Sequence, residues 1–314
     1  MFSYHKVTLV LFLILFVVFL THNNLFANED NNHLILKDKV FDLKYSNMVN
    51  LEFIEFNDYD DLIKKDITYK KINDEELQLD ILYPEVKLTK SYPVVVYIHG
   101  GGFIRGDKDE IYDLKPLVDE WHKNGWIVVS INYRLLFGDK IFPDNYRDVK
   151  DAIYWIINNK SKYNFDTDQI CAVGHSAGGT LALLTGLNHD KVNCIVSMSG
   201  PTKLYGKETF EFRKKIMSAI NTNDFDEDIM KKASPINYLK KDSPPIMLLH
   251  GTKDNFVPFD QSQTFYEKAK EIGADCKFIS IEGSGHVLEF SYLPRMPYLK
   301  DEIVEFMEDN IKAK

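Results

Sequence analysis

Ser176 stands in the run Gly174-His175-Ser176-Ala177-Gly178-Gly179, directly after the apolar stretch Ile170-Cys171-Ala172-Val173 and directly before Thr180-Leu181-Ala182-Leu183-Leu184. This order predicts a strand, a sharp turn and a helix, with a strained serine presented above the strand end. Glycines flank the serine because the turn is too tight for side chains. A helix N-terminus beside the hydroxyl favours developing negative charge. The chemistry such a serine could do is nucleophilic attack on an acyl carbon, which also requires donors for an oxyanion. Upstream, the apolar run Val94 to Ile98 ends in His99-Gly100-Gly101-Gly102-Phe103, where glycines free backbone N–H groups to point at such an oxygen. Gly101 and Gly102, with the amide of Ala177, are the expected donors. No Gly-Lys-Ser/Thr follows these glycines, which excludes a phosphate-cradling loop.

A serine hydroxyl needs a base to take its proton, and the base needs a carboxylate to hold its tautomer. With a strand–turn–helix nucleophile, both partners follow it in chain order, acid before histidine. The run Ile246 to His250 leads into Gly251-Thr252-Lys253-Asp254-Asn255-Phe256-Val257-Pro258, which places Asp254 in a loop at a strand end. The next run, Phe278-Ile279-Ser280-Ile281, ends in Glu282-Gly283-Ser284-Gly285-His286 and brings His286 to the same edge as Ser176. Asp260 is the alternative acid, but a helix N-cap position accounts for it without catalysis. His175 lies inside the turn and cannot fold back as the base. His99 belongs to the glycine turn, and His250 closes a buried strand in a structural role. The remaining histidines fall in the leader, the extension or helical surface positions. Neither a His-Glu-x-x-His helix nor a Cys-x-x-Cys pair occurs, so no metal is expected.

The elements that must position these residues alternate in period. Strand-like runs at Leu77 to Tyr83, Val94 to His99, Ile127 to Tyr133, Ile170 to Gly174, Val192 to Ser197, Ile246 to His250 and Lys277 to Ile281 are separated by helix-length amphipathic segments. The helices are expected at about Ile111 to Asn124, Asp144 to Asn159, from Ser176 onward, Gln261 to Ile272 and Leu299 to Ile311. This βαβα order implies a mostly parallel sheet covered by helices on both faces. Runs such as Val94-Val95-Val96 suit strands buried on both sides. Residues 201–241 interrupt the rhythm as a charged, amphipathic, helical insertion.

At the N-terminus, the apolar run Val7 to Leu20 follows His5-Lys6 and precedes polar Thr21-His22-Asn23-Asn24. At about fourteen residues it is short for a membrane span, and Leu25-Phe26-Ala27 offers a cleavage point, so residues 1–27 read as a signal peptide and the chain as secreted or exported. A membrane association follows only if the segment stays uncleaved as an anchor. Residues 28–60 form an Asn- and Asp-rich extension, and 61–314 form the catalytic domain. A formal net charge of −9 without a Lys/Arg cluster makes nucleic acid an unsuitable partner. Cys171, Cys194 and Cys276 show no framework spacing and are expected as small buried hydrophobes. Oligomeric state is left open.

The spellings His99-Gly100-Gly101-Gly102-Phe103 and Gly174-His175-Ser176-Ala177-Gly178-Gly179 resemble the α/β-hydrolase superfamily, in particular its acetyl esterase and hormone-sensitive-lipase-like carboxylesterases. Asn132-Tyr133-Arg134-Leu135, Phe142-Pro143 and the segment from Asp148 to Ala152 resemble the same group. The resemblance implies an eight-stranded, mostly parallel sheet, a Ser176, Asp254 and His286 triad and no cofactor; the insertion is expected after strand 6, and a small-molecule ester is the expected substrate, though its identity does not follow from the family. Short-acyl esters are expected, because the insertion balances its apolar residues with charges. His175 departs from the aspartate usual before the nucleophile in hormone-sensitive-lipase-like members, and the helical cap of that group is barely supplied. The alternatives are an amide-cleaving relative, formamidase or peptidase, and a non-catalytic binding module on the same scaffold. Tyr133, Arg134 and Asp148 are expected to brace loops.

Overall fold

The computed structural model describes residues 33–36, 39–42, 62–85, 91–135, 142–206, 226–288 and 296–311. The expected signal peptide, residues 1–27, lies outside them, as does the middle of the expected insertion, 207–225. Two compact units divide the chain, Met1–Asp58 and Tyr59–Lys314. In the first, the expected irregular extension contains two four-residue strands, β1 (His33–Leu36) and β2 (Lys39–Asp42), paired antiparallel.

The second unit is built on eight strands: β3 (Ile63–Ile72), β4 (Glu75–Leu82), β5 (Tyr92–Ile98), β6 (Ile127–Ile131), β7 (Phe165–His175), β8 (Cys194–Met198), β9 (Ile246–Gly251) and β10 (Cys276–Ile281). Across the sheet their order is β10-β9-β8-β7-β5-β6-β4-β3. The pairs β3/β4 and β4/β6 are antiparallel and the rest are parallel. This is the α/β-hydrolase architecture expected from the sequence. β3 begins four residues before the first regular pattern, which starts at Ile67. Lys64, Lys65 and Asp66 hide its alternation, and such charges suit an edge strand because they discourage pairing with other chains.

All seven residues of β5 are buried. Alternation sends Val94, Val96 and Ile98 to one face and Val95 and Tyr97 to the other. On the first face they meet α2 (Asp144–Asn158) through Val149, Ala152, Ile153 and Ile156. Leu181 of α4 (Ala177–Gly186) and Phe265 of α6 (Asp260–Ile272) join the same core, which a four-residue α3 (Lys160–Tyr163) borders through Tyr163. On the second face α1 (Lys115–Lys123) contributes Leu117, Val118 and Trp121, and α7 (Met296–Asn310) contributes Ile303, Phe306 and Met307. Each fully buried Val, Ile or Leu is worth about 1.5–3 kcal/mol, so the two-sided core holds the central strands rigidly.

Cys171 and Cys194 are buried, as expected, but they are joined in a disulfide. They are register partners on the parallel strands β7 and β8, with Cα atoms 4.7 Å apart. Strand register creates that proximity, and a separation of 23 residues does not reveal it. Cys276 is a free thiol, pushed up to about 12 by burial.

The described ends of the insertion pack down. Leu204, Ala233 and Val257 form a small apolar cluster with Phe142 and Met230 against it. Between them runs the short helix α5 (Glu227–Lys232), capped by Asp226.

Candidate active site

Parallel strands deliver their C-terminal ends to one edge, and the residues singled out above meet there. Ser176 follows β7 with φ 54° and ψ −118°, a left-handed conformation unusual for a residue with a side chain. The surrounding backbone enforces it. A Cβ on Gly178 would stand 2.0 Å from the carbonyl oxygen of Ile98, and one on Gly174 would stand 2.3 Å from the carbonyl of Gly178. The Ser176 amide donates to the Met198 carbonyl at 2.8 Å, and α4 begins at the next residue.

The glycine turn after β5 packs directly on this elbow, since a Cβ on Gly100 would lie 3.5 Å from the Cβ of Ser176. Gly101, at φ 95°, turns the chain so tightly that its carbonyl accepts from the amides of both Ile104 and Arg105. Three groups brace the turn. The Tyr133 hydroxyl donates to the carbonyls of His99 (3.0 Å) and Gly100 (3.1 Å), and its ring stacks on His99. The Gly100 amide donates to Glu110, which sits on the 3-10 turn Lys108–Leu114 and whose carboxyl burial pushes up. His99, pushed down to about 4 by burial, donates from Nδ1 to the Gly100 carbonyl as a neutral ring. Arg134 grips Asp148 with Nε at 2.7 Å and Nη2 at 2.8 Å, as expected of loop-bracing residues, and Lys70 adds a third contact to the same carboxylate.

His286 lies in the turn that follows β10. Its Nε2 is 2.9 Å from Ser176 Oγ and its Nδ1 is 2.7 Å from Asp254 Oδ2. Asp254, whose side chain is wholly buried, also accepts from the amides of Phe256 and Val257, each at 2.8 Å to Oδ1. Burial alone would raise its carboxyl, but hydrogen bonds from His250 and His286 outweigh it and hold Asp254 well below the usual carboxylate range. The chain therefore brings together Ser176, Asp254 and His286, with the turns carrying Gly101, Gly102 and Ala177 beside them. Asp260 is the first residue of α6 rather than its cap, and it makes no capping bond.

Two histidines set aside in the sequence contact this group. His175 donates from Nε2 to the His286 carbonyl at 2.9 Å and, pushed down to about 4 by burial, is neutral. His250 reaches Asp254 Oδ2 at 3.2 Å. The His175 contact has no local signal, since His286 lies 111 residues away in another loop, whereas His250 and Asp254 are only four residues apart and the turn between them decides which atoms meet. A serine in contact with an imidazole, itself in contact with an ionised carboxylate, can lose its proton to the ring as it attacks a carbonyl carbon. Among the described residues, no cluster of His, Cys, Asp or Glu has the form of a metal site.

Known proteins resemble this chain in sequence and in fold. A profile described as BD-FAE matches residues 79–269, well over half of the chain, and includes the glycine turn, Ser176 and Asp254. Esterase LipC of Mycobacterium tuberculosis is 26% identical over 229 residues, covering 66% of this chain and 56% of that protein. Esterase LipQ of the same organism is 29% identical over 243 residues, covering 71% and 57%. The chain spans about half the length of the curated relatives it matches. Among solved structures, a truncated carbohydrate esterase from gut microbiota shares the fold with a TM-score of 0.65 at 23% identity, over 78% of this chain and 96% of that one. With the sheet order, the strained serine elbow and the glycine turn that faces it, the matched profile shows that this chain belongs to the BD-FAE family of hormone-sensitive-lipase-like α/β-hydrolases.

Proposed function

We propose that this protein is a serine carboxylic ester hydrolase that works through an acyl-enzyme. The observation that carries the reading is the unbroken contact chain from Ser176 Oγ through His286 to Asp254. In this reading Ser176 Oγ attacks the ester carbonyl carbon while His286 Nε2 takes its proton, and Asp254 stabilises the imidazolium that forms. The amides of Gly101, Gly102 and Ala177 receive the oxyanion. As the intermediate collapses, the C–O bond breaks and His286 returns the proton to the departing alcohol. Water, deprotonated by the same ring, then releases the acid. The names of the relatives LipC and LipQ support ester over amide as the bond cleaved.

Soluble short-acyl esters are the proposed substrates. Support comes from the packing of Leu204 and Ala233 against Val257, which draws the described ends of the insertion onto the domain. A buried methylene adds about 0.8 kcal/mol while there is room, and overpacking then costs about 1–3 kcal/mol, so selectivity should peak at acetyl to butyryl. Two measurements test the proposal. A fluorophosphonate probe should label the full chain and fail to label Ser176→Ala, and kcat/KM across p-nitrophenyl esters should fall steeply by about twelve acyl carbons. An unlabelled wild-type protein that hydrolyses no ester would overturn the enzyme reading. A series that rises to palmitoyl, or activation at an oil–water interface, would overturn the short-acyl reading.

A further inference from the structure

Behind the acid stands a histidine that the triad does not employ. His250, on β9, has a wholly buried side chain. Its Nε2 lies 3.0 Å from the Val257 carbonyl oxygen and 3.2 Å from Asp254 Oδ2, and its Nδ1 lies 2.7 Å from Ser262 Oγ on α6. Neither a carbonyl nor an ionised carboxylate has a proton to give, so Nε2 must carry one and donate to both. In the neutral ring Nδ1 is then the acceptor, and the Ser262 hydroxyl donates to it. The partner set admits only this tautomer of the neutral ring.

Asp254 thus accepts four N–H groups: the amides of Phe256 and Val257 on Oδ1, and His286 Nδ1 and His250 Nε2 on Oδ2. The base and His250 share a single oxygen. We infer that His250, with Ser262 behind it, is a positioning residue for the acid–base pair, holding Asp254 Oδ2 aimed at His286 and taking up part of the charge the base would otherwise meet alone. The inference rests on the triad reading above. Among the described residues, the titratable groups facing this chain are His175, from the end of β7, and the two partners Asp254 and His286.

Removing the Nε2–H has two consequences. The carboxylate loses a restraint on its rotation, which misaligns the base and lowers turnover. Oδ2 is also left with His286 as its single donor, which favours the imidazolium and moves the acid limb of the kcat/KM profile to higher pH. A role confined to packing would lower stability without moving that limb.

The test is the pH dependence of p-nitrophenyl acetate hydrolysis by the full chain and three variants, with folding checked by near-UV circular dichroism. His250→Leu should lower kcat about 10- to 100-fold with little change in KM, and should shift the acid limb upward. His250→Gln, which keeps an N–H near the Nε2 position, should recover most of kcat and return the limb. Ser262→Ala should lose less than His250→Leu, in the same direction. If His250→Leu does not fold, the Ser262→Ala profile decides: an upward limb supports the inference and a wild-type profile overturns it. A folded His250→Leu with wild-type kcat and limb, or a His250→Gln no better than His250→Leu, also overturns it. Fluorophosphonate labelling of the wild type separates the two readings. Labelling with indifference at His250 sinks only the positioning role, whereas an unlabelled wild type sinks the triad itself.

Discussion

Around Ser176 the backbone sets the geometry. Gly178 presses on the Ile98 carbonyl, Gly174 presses on Gly178, and the Ser176 amide is tied to Met198 across to β8, so the hydroxyl is presented before any side chain contributes. Around Asp254 and His286 the reverse holds. Both sit in loops after β9 and β10, and side-chain contacts bring them together: Asp254 with His286, Asp254 with His250, and His175 with the His286 carbonyl. Ser176 is thus held by backbone contacts within its own turn and to the neighbouring strands β5 and β8. His286 is held by hydrogen bonds between residues far apart in sequence. Steric exclusion tolerates no added atom, whereas a hydrogen-bonded assembly can lose one member and keep its shape, losing function before it loses the fold.

The sharpest way to break this comparison is to alter chemistry without altering shape. Ser176→Ala and His286→Ala should each lower kcat by about 10⁶ with unfolding midpoints near wild type, because the two residues act as one unit. Asp254→Asn should lower it by about 10⁴ by stabilising the wrong tautomer of His286. Steady-state kinetics beside urea denaturation checks this, and activity of Ser176→Ala within tenfold of wild type, or Asp260→Asn more damaging than Asp254→Asn, would show the roles misassigned.

Gly178→Ala tests the other side. Its added methyl would meet backbone atoms of Ile98 and His99, which cannot rotate away. It should destabilise by about 1–3 kcal/mol or more, read as a lower urea midpoint, alongside any loss of turnover. If Gly178→Ala proved as stable as wild type, the elbow would not be sterically set.

The smallest effect concerns pH. His99 and His175 are pushed down to about 4 in the fold, while an unfolded chain protonates histidine near 6.5. The unfolded state therefore binds more protons between those values. The stability these rings contribute as neutral groups is complete above about pH 6.5 and is lost as pH falls toward 4. Asp254, also held below its ordinary range, adds a loss in the same direction at still lower pH. Urea unfolding at about pH 7.5, 5.5 and 4.5 should give falling stability, and a constant or rising value would contradict the buried, neutral state of these rings.

By itself the sequence determined the parts whose cause is local. The strand–turn–helix around Ser176 follows from glycines at both flanks and apolar runs before and after them, and the glycine turn at Gly101 and Gly102 follows from its own spelling. The order of strands and helices follows from alternating periods, and the loop positions of Asp254 and His286 follow from where two apolar runs end. Only the tertiary structure decided what depends on register and on side chains meeting across the sheet edge. Parallel pairing of β7 with β8 set Cys171 opposite Cys194. The charged edge strand β3 acquired its place by pairing with β4, not by a pattern of its own. Closure of the loops after β9 and β10 gave His250 and His175 their partners. His175 carries no local mark of the carbonyl it will face, because that hydrogen bond joins residues 111 apart whose proximity exists only once the sheet has assembled, whereas His250 meets Asp254 across four residues of chain.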